Sequence, residues 1–226
     1  MGKFSVQTVF ANDRPLSLVG MECIAGNTSA IDLVGVYKST GELVASLGRQ
    51  NCDVALIDYS MRGKGQLEGL ALLGYLRRTY PKVGVVVFVT HENPVIIRSI
   101  LAKGVSGIIS KIYDIGHIVT AIHSSYGGGK YLSPAIKRAL EAANGSGSRR
   151  EAKLSPREIE VIRLYLSGLS INAIATRLNK GKQTISSQKM SAMKKLGVKN
   201  DVELIKCATC LDLGDGMSSI HQFESI

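Results

Sequence analysis

Five polar or charged residues in the first half of this sequence stand directly after short apolar runs. Asn12 and Asp13 follow VFA, Asp58 follows VALI, Thr90 follows VVVFV, and Lys111 follows GIIS. Carboxylates, a hydroxyl and an ammonium would form one site with charges of both signs if the fold gathers the ends of those runs. A second set lies near the other end, in KQTISSQKMSAMKKLGV, where lysines alternate with small hydroxyl side chains and suit a polyanionic partner. Other candidates are weak. Cys207 and Cys210 form a lone C-x-x-C without partner ligands, inside a helical pattern, and read as small helix residues. His91, His117, His123 and His221 have no metal-ligand spacing. No G-x-x-x-x-G-K-[ST] loop, G-x-S-x-G elbow or G-x-G-x-x-G fingerprint occurs, so a turnover enzyme is not expected.

The elements that must position these residues are readable. Strands are expected at Val6–Phe10, Leu33–Tyr37, Val54–Ile57, Val83–Val89 and Gly107–Ile109. Helices are expected near Pro15–Ile24, Gly41–Arg49, Leu67–Thr79, Pro94–Lys103 and Gly116–Tyr126. Five strands alternating with five helices make an α/β, doubly wound parallel sheet, in which function sits at the carboxyl ends of the strands. The segment Glu141–Ala152, EAANGSGSRREA, is small, polar and Gly/Ser-rich and reads as a flexible linker. Beyond it four short helices follow. Ser155 caps the first, Pro156 takes its first position, Glu158 completes a capping box, and Leu154 with Ile159 forms a staple. Gly168 ends that helix, Ser170 caps the second, Asn179-Lys180-Gly181 forms a tight turn, Gly197 stops the third, and Asn200 starts the fourth.

Charge is concentrated in the same region. The formal net charge is +10, and Arg149 to Lys206 carries 13 Lys and Arg against 5 Asp and Glu. Two helices joined by a Gly-containing turn place a recognition helix in the major groove of DNA. On the third helix Ile185, Ala192 and Leu196 are expected to face the core, with Gln183, Ser186, Ser187, Lys189, Met190 and Lys194 opposite. Ser186, Ser187, Lys189 and Met190 are the expected base readers, and Lys180, Lys182, Gln183, Thr184 and Lys194 the expected phosphate contacts.

The segment from Leu154 to Val198, LSPREIEVIRLYLSGLSINAIATRLNKGKQTISSQKMSAMKKLGV, resembles the LuxR-type helix-turn-helix of the NarL/FixJ response regulators. VFANDRP, LIDYSMRG, FVTHENP and IISKI resemble landmarks of the family's receiver domain. The resemblance implies a flavodoxin-like, doubly wound, five-stranded receiver over residues 1–130. It is followed by a helical extension and linker over 131–152, a four-helix DNA-binding domain over 153–211 and a disordered tail over 212–226. It implies that Asp58 accepts a phosphoryl group from a histidine kinase or phosphotransfer protein. Asp13, Asp58 and the Ser60 carbonyl would hold Mg2+, with Thr90 and Lys111 contacting phosphoryl oxygens. Double-stranded DNA is the implied target, read by a homodimer or by a heterodimer with an auxiliary regulator. Departures are Asn12, where the family usually has an acid and whose neutrality should weaken Mg2+, Arg62 in place of proline, and Met190 in place of a relative's lysine. Asn12 and Arg62 motivate an alternative, a regulator independent of phosphorylation whose receiver serves dimerisation or an auxiliary partner. No run of about 18 apolar residues is present, so no membrane span and a cytoplasmic location are expected.

Overall fold

The computed structural model describes residues 5–61, 67–110, 116–145, 153–211 and 213. It divides into two compact units, the first made mainly of the residues up to Ala142 and the second mainly of those from Ala143 onward. In the first unit the order is β1 (Val6–Ala11), α1 (Pro15–Gly26), β2 (Ile31–Tyr37), α2 (Thr40–Leu47), β3 (Val54–Asp58), α3 (Gly69–Thr79), β4 (Gly84–Val89), α4 (Pro94–Ala102), β5 (Gly107–Ser110), α5 (Gly116–Tyr126), β6 (Tyr131–Leu132) and α6 (Pro134–Gly145).

All strands pair in parallel in the order β2-β1-β3-β4-β5-β6. Every residue of β3, β4 and β5 is buried, which explains why these runs carry no polar alternation. Alternate residues still point to opposite faces. Phe10, Leu56, Val86 and Ile109 pack in one cluster with Leu18 and Met21 of α1 and Ile118, Ala121 and Ile122 of α5. Strand order reverses between β1 and its two neighbours, so the carboxyl ends of β1 and β3 flank the crevice where such sheets bind ligands.

Two expectations change. The sheet has six strands, because Tyr131–Leu132 pairs with Gly107 and Ile108 as a parallel edge. A two-residue strand is too short for its periodicity to show in sequence. The expected linker also starts later: Glu141–Gly145 belongs to α6, where the run AIKRALEAA carries strong helix formers up to the small polar residues. The rest of the linker, 146–152, lies outside the described residues, as do Arg62, Lys111 and all of the 212–226 tail except Leu213.

The second unit contains α7 (Pro156–Leu166), α8 (Ile171–Arg177), α9 (Lys182–Leu196) and α10 (Asp201–Cys210). The capping box forms as read: Glu158 N–H donates to Ser155 Oγ at 3.3 Å and Ser155 N–H to Glu158 Oε2 at 2.6 Å. Ser170 and Asn200 cap α8 and α10. Between α8 and α9 the chain turns through Asn179 at φ 50°, a conformation that asparagine tolerates better than most residues. Gly197 closes α9 at φ 66°. Val161, Ile174, Ala175 and Ile185 form the centre of the bundle.

Candidate functional site

β1 stops at Ala11 because Asn12 and Asp13 lead into α1, whose first residue is Pro15. The Asn12 side chain is buried, and its Oδ1 accepts Arg14 N–H at 2.8 Å, which turns the chain into the helix. That bond orients the other end of the amide. Asn12 Nδ2 donates to Asp58 Oδ2 at 3.0 Å. Asp58, the last residue of β3, is itself buried, and its Oδ1 accepts Ser60 N–H at 2.9 Å and Ser60 Oγ–H at 2.7 Å. Both carboxylate oxygens are therefore held in defined directions at the crevice. Asp13 is exposed at its rim.

Thr90 follows β4, directly beside β3 in the sheet. Its Oγ1 is buried and makes no hydrogen bond. A buried hydroxyl without a partner costs roughly 1–3 kcal/mol, a cost that an arriving acceptor oxygen would relieve. The oxygen donors Asp13, Asp58 and the Ser60 carbonyl are of the kind that hold a hard divalent cation, so they fit magnesium. They form a weak set: among the described residues no three His, Cys, Asp or Glu side chains cluster closely enough to cage a metal. Asn12 brings a neutral donor where a further carboxylate would have stood. Lys111 lies outside the described residues. One carboxylate escaped sequence reasoning: Glu92 Oε1 accepts the Ser110 hydroxyl at 2.8 Å, tying the loop after β4 to the end of β5. The signal was present in ENP and IIS but needed the β4–β5 pairing to connect them.

In the second unit, the expected contact residues Lys180, Lys182, Gln183, Thr184, Ser187, Met190 and Lys194 are all exposed, and Ser186 is half-buried. Met190 leaves 63% of its surface open. Lys189 departs from the group. Its Nζ lies 2.6 Å from Asp201 Oδ1 and 3.9 Å from the ring centroid of Tyr165, with its side chain 13% exposed. Lys195 also turns inward: its Nζ donates to Glu158 Oε2 at 2.8 Å, and Ser191 Oγ–H donates to Glu158 Oε1 at 2.7 Å. Burial raises the Glu158 carboxyl, but hydrogen bonds from Lys195, Ser191 and Ser155 outweigh it and bring its pKa to about 2. Cys207 is buried, and burial first of all pushes its thiol up to about 12, so it is no reactive site.

These two sites coincide with known domain types. The family model for the response regulator receiver domain matches residues 9–123, and that for bacterial regulatory proteins of the luxR family matches residues 152–208. The chain is 32% identical over 211 residues to the transcriptional regulatory protein RcsB of Escherichia coli strain K12, spanning 92% of this chain and 96% of that one. It is 28% identical over 202 residues to the transcriptional regulatory protein UhpA of the same strain, spanning 89% and 96%. Among solved structures, RcsB of Salmonella enterica serovar Typhimurium, bound to the P1flhDC promoter with a phosphomimetic, superposes with a TM-score of 0.81 at 30% identity, covering 91% of this chain and 98% of that one. A structure of two RcsB dimers on two parallel DNAs gives 0.77 at 30% identity, covering 92% and 99%. With a receiver, a luxR-type domain and near full-length likeness to RcsB, the chain belongs to the response-regulator family and is a DNA-binding transcription regulator of a two-component system.

Proposed function

We propose that this regulator is switched by phosphorylation of Asp58. The observation that carries the reading is the buried Asp58 carboxylate at the crevice, with the unpartnered Thr90 hydroxyl at the end of the adjacent strand. An Asp58 oxygen attacks phosphorus of a phosphohistidine on a histidine kinase or phosphotransfer protein. The P–N bond breaks, the imidazole leaves, and an acyl phosphate forms. The attacking oxygen must leave its hydrogen bond to Asn12 or Ser60. Thr90 then donates its hydroxyl to a phosphoryl oxygen, and Lys111 supplies a positive charge there. Asp13, Asp58 and the Ser60 carbonyl would hold Mg2+, whose charge neutralises the meeting anions. The rotamer of Thr90 biases a two-state receiver through α4, β5 and α5, and that shift favours dimers or frees the second domain. Beyond accepting and losing the phosphoryl group the chain has no catalytic role in this reading.

At the output end, Ser186, Ser187 and Met190 meet base edges, and Lys180, Lys182, Gln183, Thr184 and Lys194 hold phosphates. Lys189, expected among the base readers, is instead paired with Asp201. Two copies read paired half-sites on double-stranded DNA. The domain division we adopt is 1–130, 131–152, 153–211 and 212–226. No helix among the described residues is long and apolar enough to cross a membrane. That, with a DNA target, supports a cytoplasmic location.

The test is incubation with a small-molecule phosphodonor and Mg2+, followed by intact mass and a DNA-mobility assay. One added phosphoryl mass with tighter DNA binding is expected, and both are lost in Asp58→Ala. A second reading, in which the receiver works without phosphorylation and pairs with an auxiliary regulator, is favoured by one contact, the Asn12 amide on Asp58. An unchanged mass together with unchanged DNA binding selects it.

A further inference from the structure

α9 carries two rows with the same spacing on opposite sides. Ile185, Lys189, Ala192 and Leu196 stand at i, i+4, i+7 and i+11, and so do Gln183, Ser187, Met190 and Lys194. The second row is exposed throughout. In the first, Ile185, Ala192 and Leu196 are buried, and Lys189, its one charged member, is partly buried, with its side chain 13% exposed. Its ammonium is accommodated there by two neighbours. Asp201, the first residue of α10, faces it from the N-cap turn, where the helix dipole also favours a carboxylate. Tyr165 of α7 lies under it with its ring and donates its hydroxyl to Asp201 Oδ2 at 2.7 Å. Three helices thus meet at one ammonium. A lysine contacting DNA needs a free charge; this ammonium is already engaged by Asp201, whose own side chain is 50% exposed.

We propose that Lys189 is a positioning residue for DNA recognition and not a contact: its ion pair with Asp201 over Tyr165 fixes the rotation of α9, and so decides how the row of Gln183, Ser187, Met190 and Lys194 meets the bases. This rests on reading α9 as the helix that meets DNA. Hydrogen bonds from Lys189 and then Tyr165 lower the Asp201 carboxyl, and burial, which would lower the Lys189 ammonium, is outweighed by the bonds to Asp201 and Tyr165.

The experiment uses the full chain. A duplex is selected from a random-sequence pool by the wild type, and affinity for it and for a scrambled duplex is followed against salt. Lys189→Met and Asp201→Asn are expected to lower the preference for the selected duplex roughly fivefold to tenfold, with the salt slope unchanged. Lys189→Arg, which keeps the ion pair and the ring contact, restores most of the preference. Tyr165→Phe removes only the hydroxyl bonded to Asp201 and carries the test if a charge variant fails to fold; it lowers the preference in the same direction. The proposal is overturned if Lys189→Met flattens the slope by about 0.9, the loss of one phosphate contact. It is equally overturned if Asp201→Asn tightens binding to both duplexes, as freeing a DNA-contacting cation would, or if these variants leave the preference unchanged. Met190→Ala and Lys194→Ala are the control: if neither alters preference or slope, the placing of α9 on DNA fails instead.

Discussion

If Asp58 is the acceptor, Asn12 should govern how strongly the site holds a cation. Its amide donates to Asp58, so it satisfies one carboxylate oxygen without adding charge. Asn12→Asp places a second anion within hydrogen-bond distance of a buried one. Without a cation the two repel, and the variant should lose about 1–3 kcal/mol of stability at neutral pH. With Mg2+ the same repulsion is repaid, and affinity for the ion should rise about tenfold. Calorimetric titration with MgCl2 and thermal unfolding with and without the ion check both, and the chain has no tryptophan to report the change by fluorescence. A variant that gains neither Mg2+ affinity nor Mg2+-dependent stability would show that Asn12 does not face the cation. At this scale the sequence displayed the strand ends to within a residue: β1, β3 and β5 each run one residue further than expected, so that Asp58 is the last residue of β3, while Asn12 and Thr90 directly follow β1 and β4. It did not display the hydrogen bond itself, because Asn12 and Asp58 are 46 positions apart and meet only through the pairing of β1 with β3.

Among elements, α7 and α9 are tied by one carboxylate. Glu158 completes the capping box of its own helix and also receives Lys195 and Ser191 of α9. Its pKa falls from 4.5 to about 2 on folding. A carboxyl held below its ordinary value contributes stability that is complete above that value and is lost as pH falls through the folded one. The contribution is about 3 kcal/mol at neutral pH and vanishes between about pH 4.5 and pH 2. Glu158→Gln should lower neutral-pH stability by about that amount and flatten the acid limb, measured by urea unfolding at pH 7, 4 and 3. An acid limb of the same steepness would place the titrating group elsewhere. The local half of this arrangement was legible, since Ser155-Pro156-Arg157-Glu158 is a start signal within four residues. The other half was not, because a helix-period reading assigns a lysine outward by its charge. Ile185, Lys189, Ala192 and Leu196 share one row, and the carboxylate of Asp201 with the ring of Tyr165 makes that position tolerable for an ammonium. Gly197 is a simpler case: at φ 66° it ends α9, and Gly197→Ala should cost about 1 kcal/mol of stability, seen as a lower thermal midpoint.

For the whole molecule, the question is how many copies act on DNA, and charge answers it. The region from Arg149 to Lys206 holds 13 cationic residues, but they are not equivalent. Lys189 and Lys195 are paired with Asp201 and Glu158, and Arg157 with Glu160. Lys180, Lys182 and Lys194 are exposed on the turn and α9. Three phosphate contacts per copy give a slope of about −2.7 in log affinity against log salt, and two copies about −5.4. Between about 50 and 200 mM salt that is a loss of about 40-fold for one copy and roughly 2000-fold for two. Phosphodonor treatment should move the wild type from the shallower dependence to the steeper if paired receivers bring two α9 helices to one duplex. Asp58→Ala should stay on the shallower one. Lys194→Ala removes one cation per copy, so it should reduce the slope by about 0.9 before treatment and about 1.8 after it. Equal slopes before and after treatment would separate phosphorylation from pairing and leave the Asn12-capped receiver as a docking module.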